Sequence, residues 1–447
     1  VHAQQTLNFS SVAESQYIPR GRNELHRIFE QHFSDFCSEY DMKYATDYGK
    51  FRLQRIESVG EKFITCGDYL HGIARIRCQN KECGYDYFRP FSCKGFYLCP
   101  SCSQKRTLLL SEHFTEELFL ELPHRQFVFT VPKVLRLIFR RNRTLFAKVS
   151  RLINQLISDF YSYATGRTIR FGMIAAHQTF GDMLRWNPHF HCIVLEGGFD
   201  QNGKFLYIPF SDLSTMTELF RRRVIQLLVK ENCINLGFAR NLLSWKHSGF
   251  SIDNSVRILD KHSQESLTQY AARPAVSLKK VHYEPTKGRV FFHTHYSDYF
   301  KENMKMFDAL DFIAELTQHI PPKRIQLIRR YGLYASRTRG IWKELPGVIE
   351  HAPEKWKQRE TETNNEAEDS TADLQENEID HPTQKQAWAR LLAKVYEIDP
   401  MICPHCGGEM KIIAVIQDTK EIKKIISHLI KIGRAPPGIR KADFLSI

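Results

Sequence analysis

Nowhere in the 447 residues does an apolar run approach the ~18 residues that a membrane-spanning helix needs. The opening residues, Val1-His2-Ala3-Gln4-Gln5, carry no basic segment followed by an apolar one, the pattern of an export signal. A membrane span and export are thereby excluded, and a soluble, cytoplasmic protein is expected. A GxxxxGK loop is also missing, which removes one common way of holding a nucleoside triphosphate. Acidic residues are outnumbered except in one place: Glu360 to Asp380 holds nine acids and no Lys or Arg. Setting those nine aside raises the net charge of the remainder from +13 to +22. A surplus of that sign and size points to a polyanion as partner, and nucleic acid is the commonest one. The acidic stretch itself has the composition of a disordered linker.

What the chain does have is cysteine. With 11 cysteines and no export signal, free thiols or metal thiolates are expected rather than disulfides. Six of them fall between Cys66 and Cys102. Cys78-x4-Cys83 followed by Cys99-Pro-Ser-Cys102 has the spacing by which two knuckles present four thiolates to one zinc ion. Those four are the expected ligands; Cys93, Cys66 and His71 are spares that would replace one of them or build a second site. Basic and aromatic residues interleave around them, among them Arg75, Arg89, Lys94, Tyr87, Phe96 and Tyr97. Such a surface suits phosphates and stacked bases. A purely structural zinc knob is the plainer reading. Cys403-Pro-His-Cys406 is a lone knuckle: a zinc there would need ligands from elsewhere, such as His405 or a distant cysteine, and a pair of free thiols in a turn reads equally well.

The most informative stretch is Pro188-His-Phe-His-Cys-Ile-Val-Leu195, bounded by Gly197-Gly198. It reads as a central strand. Side chains alternate on a strand, so His189 and His191 share a face at roughly 7 Å and together can hold one cation. Two satisfied core histidines would look the same at this level. Arg125–Val131 reads as the first strand of this sheet, Thr144–Thr165 as an amphipathic helix covering it, and Ile169–Thr179 as the antiparallel neighbour of the His189 strand. That pairing brings Gln178 or His177 beside the two histidines. A helix from about Ser263 ends before Pro274 and carries Tyr270 on its last turn.

Five motifs occur in sequence: Asn187-Pro-His-Phe-His-Cys192, Tyr270-Ala-Ala-Arg-Pro274, Gln318-His-Ile-Pro-Pro322, Arg330-Tyr-Gly-Leu-Tyr334 and Cys403-Pro-His-Cys-Gly-Gly408. In this order they resemble the rolling-circle transposases of the HUH superfamily, and most of all the insertion-sequence family numbered ninety-one, with its N-terminal zinc-binding domain. The resemblance runs from about Cys66 to Val415 with the acidic stretch left out. It implies an enzyme that nicks and rejoins single-stranded DNA at mobile-element ends. His189 and His191 would hold Mg²⁺ or Mn²⁺ with Gln178 as third ligand and His177 in reserve. Tyr270 would be the nucleophile, with Arg273 beside it. The better-known members carry a second tyrosine one helical turn earlier, where this chain has Ser266. It therefore resembles the single-tyrosine subgroup, in which a homodimer partner or the freed 3′-hydroxyl must complete the second transfer.

The expected fold is α+β. An antiparallel HUH-endonuclease sheet with helices on one face is flanked by a small N-terminal zinc-ribbon-like domain and a small C-terminal module. The expected segments are an N-terminal helical stretch (1–64), a zinc-binding domain (65–108), a catalytic domain (109–350), the acidic linker (351–384) and a C-terminal helix, knuckle and basic tail (385–447). The expected cellular place is the bacterial cytoplasm, at the nucleoid. A non-catalytic zinc-dependent nucleic-acid-binding protein is the alternative. His293-Thr294-His295, Tyr331 and Tyr334 are the rival candidates for metal binding and nucleophile.

Overall fold

The computed structural model describes residues 23–210, 212–297, 301–336, 345–354, 402–436, 439 and 441–445. The acidic stretch and the helix expected over Gln386–Tyr396 lie outside them.

The Asn23 side chain opens α1 (Glu24–Lys43) by accepting from the His26 backbone N–H at 2.9 Å. A glutamate in the first turn and a lysine in the last suit the helix dipole. Phe29, Phe33 and Phe36 line its buried face. The second long helix, α2 (Leu53–Ile64), crosses that face closely at Gly60, where a Cβ would lie 2.1 Å from the Phe33 ring. A hairpin of β1 (Ile73–Cys78) and β2 (Asp86–Pro90) follows, and then α3 (Pro100–Glu117), which starts with proline at its first position directly after Cys99.

The central sheet is built from β3 (His124–Thr130), β4 (Gly172–Phe180), β5 (Trp186–Leu195), β6 (Ser251–Asp253) and, further on, Ile328–Gly332. Helix α4 (Thr144–Thr165) comes between β3 and β4, and α5 (Ser214–Lys230) and α6 (Lys261–Ala271) flank β6 in sequence. A second sheet, β7 (Val281–Glu284), β8 (Arg289–Ser297) and β9 (Glu302–Asp308), leads into α7 (Ala309–Thr317), and Ile328–Gly332 is then β10. The central order is β10-β4-β5-β3-β6, every pair antiparallel.

Helices cover this sheet on both faces, not on one as expected. Phe190, Cys192 and Val194 point with Phe127, Phe129 and Met173 into a core closed by α4 and α5. Ile193 and Leu195 point the other way with Ile174, toward Phe114 of α3 and Leu267 of α6. The reason lies in β5 itself, which is apolar on both faces from Cys192 onward, so that each face has to be removed from water.

The N-terminal helices do not stand alone. Their buried faces form one core with β7–β9 and α7. Arg52 is buried there and donates to the carbonyls of Thr317, Gln318 and Ile320 at 2.9–3.1 Å, while Arg143 donates to Gln318 O at 2.6 Å. Two guanidiniums thus meet the negative end of α7, an arrangement that offsets part of the cost of burying them. The Gln318-to-Pro322 motif is this junction. At the other end of the chain, β11 (Met410–Ile416) pairs antiparallel with β1, giving a sheet ordered β11-β1-β2. Helix α8 (Thr419–Lys431) then lays Ile422 and Ile426 against Tyr69, Ile73 and Phe88. The C-terminal segment is in this way part of the N-terminal hairpin's own core.

Candidate active site and metal centres

His189 and His191 stand on the α6 side of β5, ring centroids 4.8 Å apart. Directly opposed residues of paired strands share a face. Gln178 opposes His189 from β4, and Ala176 opposes His191. His177, one residue off, opposes Phe190 and stacks on Phe146 at 4.6 Å on the far side of the sheet. Strand alternation therefore removes His177 as a reserve ligand and leaves Gln178 in position.

Hydrogen bonding leaves one polar atom of each of these side chains open. His189 Nδ1 donates to Asn187 O at 2.8 Å, which frees Nε2. His191 Nδ1 lies 2.9 Å from the Gln126 side-chain amide. As placed, the Gln126 amide Nε2–H donates to Nδ1, and turning the amide over would exchange the donor and acceptor roles of the two ring nitrogens. His191 Nε2 and Gln178 Oε1 are buried without a hydrogen-bond partner among the described residues. Burial holds the His189 imidazolium down at about 4, helped by Arg273 and Arg136 against the Asn187 carbonyl. Burial, then His189 and Arg273, hold His191 well below the ordinary histidine value. Both rings are neutral at neutral pH, the form that ligates metal. Nothing in the sequence singled out Gln126; only its place on β3 gives it a role.

Tyr270 closes the site from above. Its ring lies 5.3 Å from that of His191, edge to face. Arg273 Nη2 donates to Tyr270 Oη at 3.2 Å, and the guanidinium sits 4.0 Å from the phenol centroid. Gln178 Nε2 donates to the carbonyls of Tyr270 and Ala271 at 3.1 and 2.9 Å, tying the end of α6 to β4. Helix α6 is strapped in turn to α3: Thr107 Oγ1 donates to Ala272 O and Ser111 Oγ to Glu265 O, both at 3.1 Å. Beside the site a shallow cleft opens between Phe96, Tyr97, Gln178, Phe180, Arg273 and His319.

The rival candidates lie elsewhere. His293 and His295 are exposed on β8, in the other sheet. Tyr331 shares a hydrogen bond of 2.7 Å with Ser150 of α4. Tyr334 is fully buried against His124 Nε2 at 2.5 Å. Both tyrosines are packing residues.

The cysteines form two groups of four, each with its sulfurs within 4.8 Å of one another: Cys66, Cys93, Cys99 and Cys102, and Cys78, Cys83, Cys403 and Cys406. The four residues expected to share one ion, Cys78, Cys83, Cys99 and Cys102, are thus split between two groups. A six-residue strand spans roughly 20 Å, and β1 puts Cys78 and Cys83 at the turn end of the hairpin while Cys66 and Cys93 flank its open end. In the first group Cys66 Sγ lies 3.6 Å from Cys99 Sγ and 3.7 Å from Cys102 Sγ. The backbone N–H groups of Cys93 and Gly95 donate to the sulfurs of Cys66 and Cys93 at 3.3 Å. His71 faces Asp68 at 3.7 Å and joins neither group. The thiols at the start of α3 anchor the helix that carries α6.

Comparison with known proteins finds transposases. A transposase zinc-binding domain model of the IS91 type matches residues 28–131, and a transposase model, Y2_Tnp, matches residues 172–340. The transposase of insertion sequence element IS801 from Pseudomonas savastanoi pv. phaseolicola is 25% identical over 405 residues, covering 85% of this chain and 88% of that protein. A chain of Sinorhizobium fredii described as a transposase, y4qJ, is 28% identical over 155 residues, 33% of this chain and 38% of the other. No solved structure matches. Sheet, zinc-type thiol groups and relatives together define the class as a zinc-binding transposase, an enzyme that cleaves and joins DNA strands. Within it, the chain is similar to transposases of the IS91 type, through its zinc-binding domain over residues 28–131 and its likeness to the IS801 transposase. Among the described residues no helix is long and apolar enough to cross a membrane.

Proposed function

We propose that this transposase works by the rolling-circle route, nicking single-stranded DNA through a phosphotyrosine at Tyr270 on a sheet of the HUH-endonuclease kind. The observation that carries this reading is the pair of buried polar atoms without a hydrogen-bond partner among the described residues, His191 Nε2 and Gln178 Oε1, on the face shared with His189 and beneath the Tyr270 ring. Two neutral imidazoles and an amide oxygen fit a divalent cation with open positions, and Mg²⁺ or Mn²⁺ suits a phosphodiester substrate. When bound, such a cation polarises a non-bridging phosphate oxygen and steadies the departing 3′-oxygen.

The chain's own residues supply the remainder. Tyr270 Oη attacks phosphorus; its bond to phosphorus forms as the P–O3′ bond breaks. The phenolic proton passes to solvent, and the 3′-oxygen leaves as a hydroxyl. The Arg273 guanidinium donates to the attacking oxygen and meets the charge that develops on it in the transition state. The 5′-phosphotyrosine stores the bond energy, so that a new 3′-hydroxyl reseals the strand without a nucleotide. Ser266, one turn before Tyr270 on the same helix face, provides no second phenol. The second transfer then falls to a partner protomer in a homodimer or to the freed 3′-hydroxyl. The first cysteine group, loaded with zinc, fixes the start of α3 and through α3 the height of Tyr270 over the histidines.

The test is an oligonucleotide bearing the element's end, incubated with Mn²⁺ and the full-length protein. An SDS-resistant adduct is expected from the wild type and none from Tyr270→Phe. An adduct from the Phe variant would move the nucleophile elsewhere. No adduct from either, with DNA still retained, would favour a transposase that binds ends without cutting them.

A further inference from the structure

We propose that Cys78, Cys83, Cys403 and Cys406 form a second structural zinc site, one that clasps the C-terminal segment onto the N-terminal hairpin. Cys78 Sγ lies 3.5 Å from Cys406 Sγ, and Cys83 Sγ lies 3.7 Å from Cys403 Sγ. A tetrahedral ion with Zn–S bonds of ~2.3 Å needs sulfurs about 3.8 Å apart, so these thiols are already spaced as zinc holds them. All four are free of disulfides. Each pair sits on a tight turn. Cys83 N–H donates to Asn80 O at 3.2 Å. On the other side Gly407 N–H donates to Cys403 O at 2.9 Å and Cys403 N–H to Gly408 O at 2.7 Å. Gly407 takes a φ of +71°, and a Cβ on Gly408 would stand 3.3 Å from Cys406 Sγ and 3.4 Å from Cys78 Sγ. Glycine at both places lets the backbone turn around the ion. His405 between the two cysteines is occupied otherwise, stacked on Tyr85 at 4.3 Å.

The site differs in kind from the one at the start of α3. Its halves are 320 residues apart in the chain, whereas every ligand of the first site lies between Cys66 and Cys102. Zinc here closes the segment between Cys83 and Cys403 into a loop and locks the β1–β11 pairing, which begins at Cys78 opposite Met410. Three sulfur ligands of the first site are buried, but in the second Cys406 is exposed and Cys83 half-buried. The clasp is therefore the zinc that a chelator or an oxidant reaches first. Its loss frees the C-terminal strand and helix while leaving the support of Tyr270 in place.

The experiment uses the full chain. The proposal expects two zinc ions per protein by elemental analysis, and release to a chromogenic chelator in two phases, one ion fast and one slow. Cys403→Ser and Cys406→Ser should each retain one ion and lose the fast phase. Cys406→His, which keeps a zinc ligand, should retain two, and Cys93→Ser should lose the slow phase instead. With a protease site inserted between residues 370 and 371, the cleaved halves should co-elute until the fast zinc is removed. One zinc in the wild type, two in Cys403→Ser, or halves that separate with zinc still bound would each overturn the clasp. None of these readouts depends on Tyr270 chemistry.

Discussion

Arg273→Ala offers the sharpest test of the proposed chemistry, because the structure gives it two effects of different sign. Arg273 Nη2 donates to Tyr270 Oη at 3.2 Å from an exposed position. The guanidinium is charged throughout, so its bond to the neutral phenol lies near the lower end of the charge-assisted range, roughly 1.5 kcal/mol, and its bond to a phenolate near the upper end, roughly 3 kcal/mol. Only the difference, about 1–1.5 kcal/mol, acts on the barrier, since the phenol becomes anionic only as it attacks. At 1.36 kcal/mol per decade this slows single-turnover adduct formation roughly 5- to 15-fold. The same guanidinium also holds the proton affinity of His189 and His191 down, and it repels an incoming cation from the same side. The Mn²⁺ concentration that gives half the maximal rate should accordingly not rise when Arg273 is removed. The assay is the rate of SDS-resistant adduct formation at a series of Mn²⁺ concentrations. Arg273→Lys should fall between wild type and Ala, since lysine keeps the charge without the planar stack on the ring. A rate for Arg273→Ala within twofold of wild type would refute the reasoning, and so would a loss fully restored by more Mn²⁺.

Substitutions at three further residues separate positioning from packing. Gln126→Leu removes the amide 2.9 Å from His191 Nδ1 and should weaken Mn²⁺ dependence about 10-fold or more without loss of DNA retention, while Gln126→Glu should recover most of it. His177 has its imidazolium pushed down to about 3 by burial, so its protonation favours the unfolded chain. The sign is that stability is full above the ordinary histidine value near 6.5 and falls as the pH drops toward 3, with about 2 kcal/mol gone by pH 5. His177→Phe should flatten that acid slope in urea melts taken from pH 7 to 5; an unchanged slope would assign it to other groups. Glu196 is fully buried between Arg125 at 2.6 Å and Arg257 at 2.7 Å. Glu196→Gln should lower the unfolding free energy by about 3 kcal/mol or more, read from the urea midpoint at constant slope, and a loss below about 1 kcal/mol would count against a stabilising triad.

The sequence by itself determined whatever depends on near neighbours along the chain. The alternation of β5 placed His189 and His191 on one face, Pro274 ended α6 just after Tyr270, and helical spacing bounded α4 at Thr144–Thr165. The strand pattern left Gln178 and His177 both open as neighbours of the pair, and only the family resemblance preferred Gln178, since the register of β4 against β5 is set by side chains packing on both faces. The structure's one-residue choice of register put Gln178 beside His189 and His177 against Phe146. The second layer of helices was foreshadowed by an apolar β5, yet only the tertiary fold showed that α3 and α6 supply it. The grouping of the thiols lay beyond any local pattern. Cys403 meets Cys83 because β11 pairs with β1, and nothing near either cysteine records an encounter across 320 residues. Spacing along a chain fixes directions within one strand or helix, and contact between distant segments is decided by the burial that brings them together.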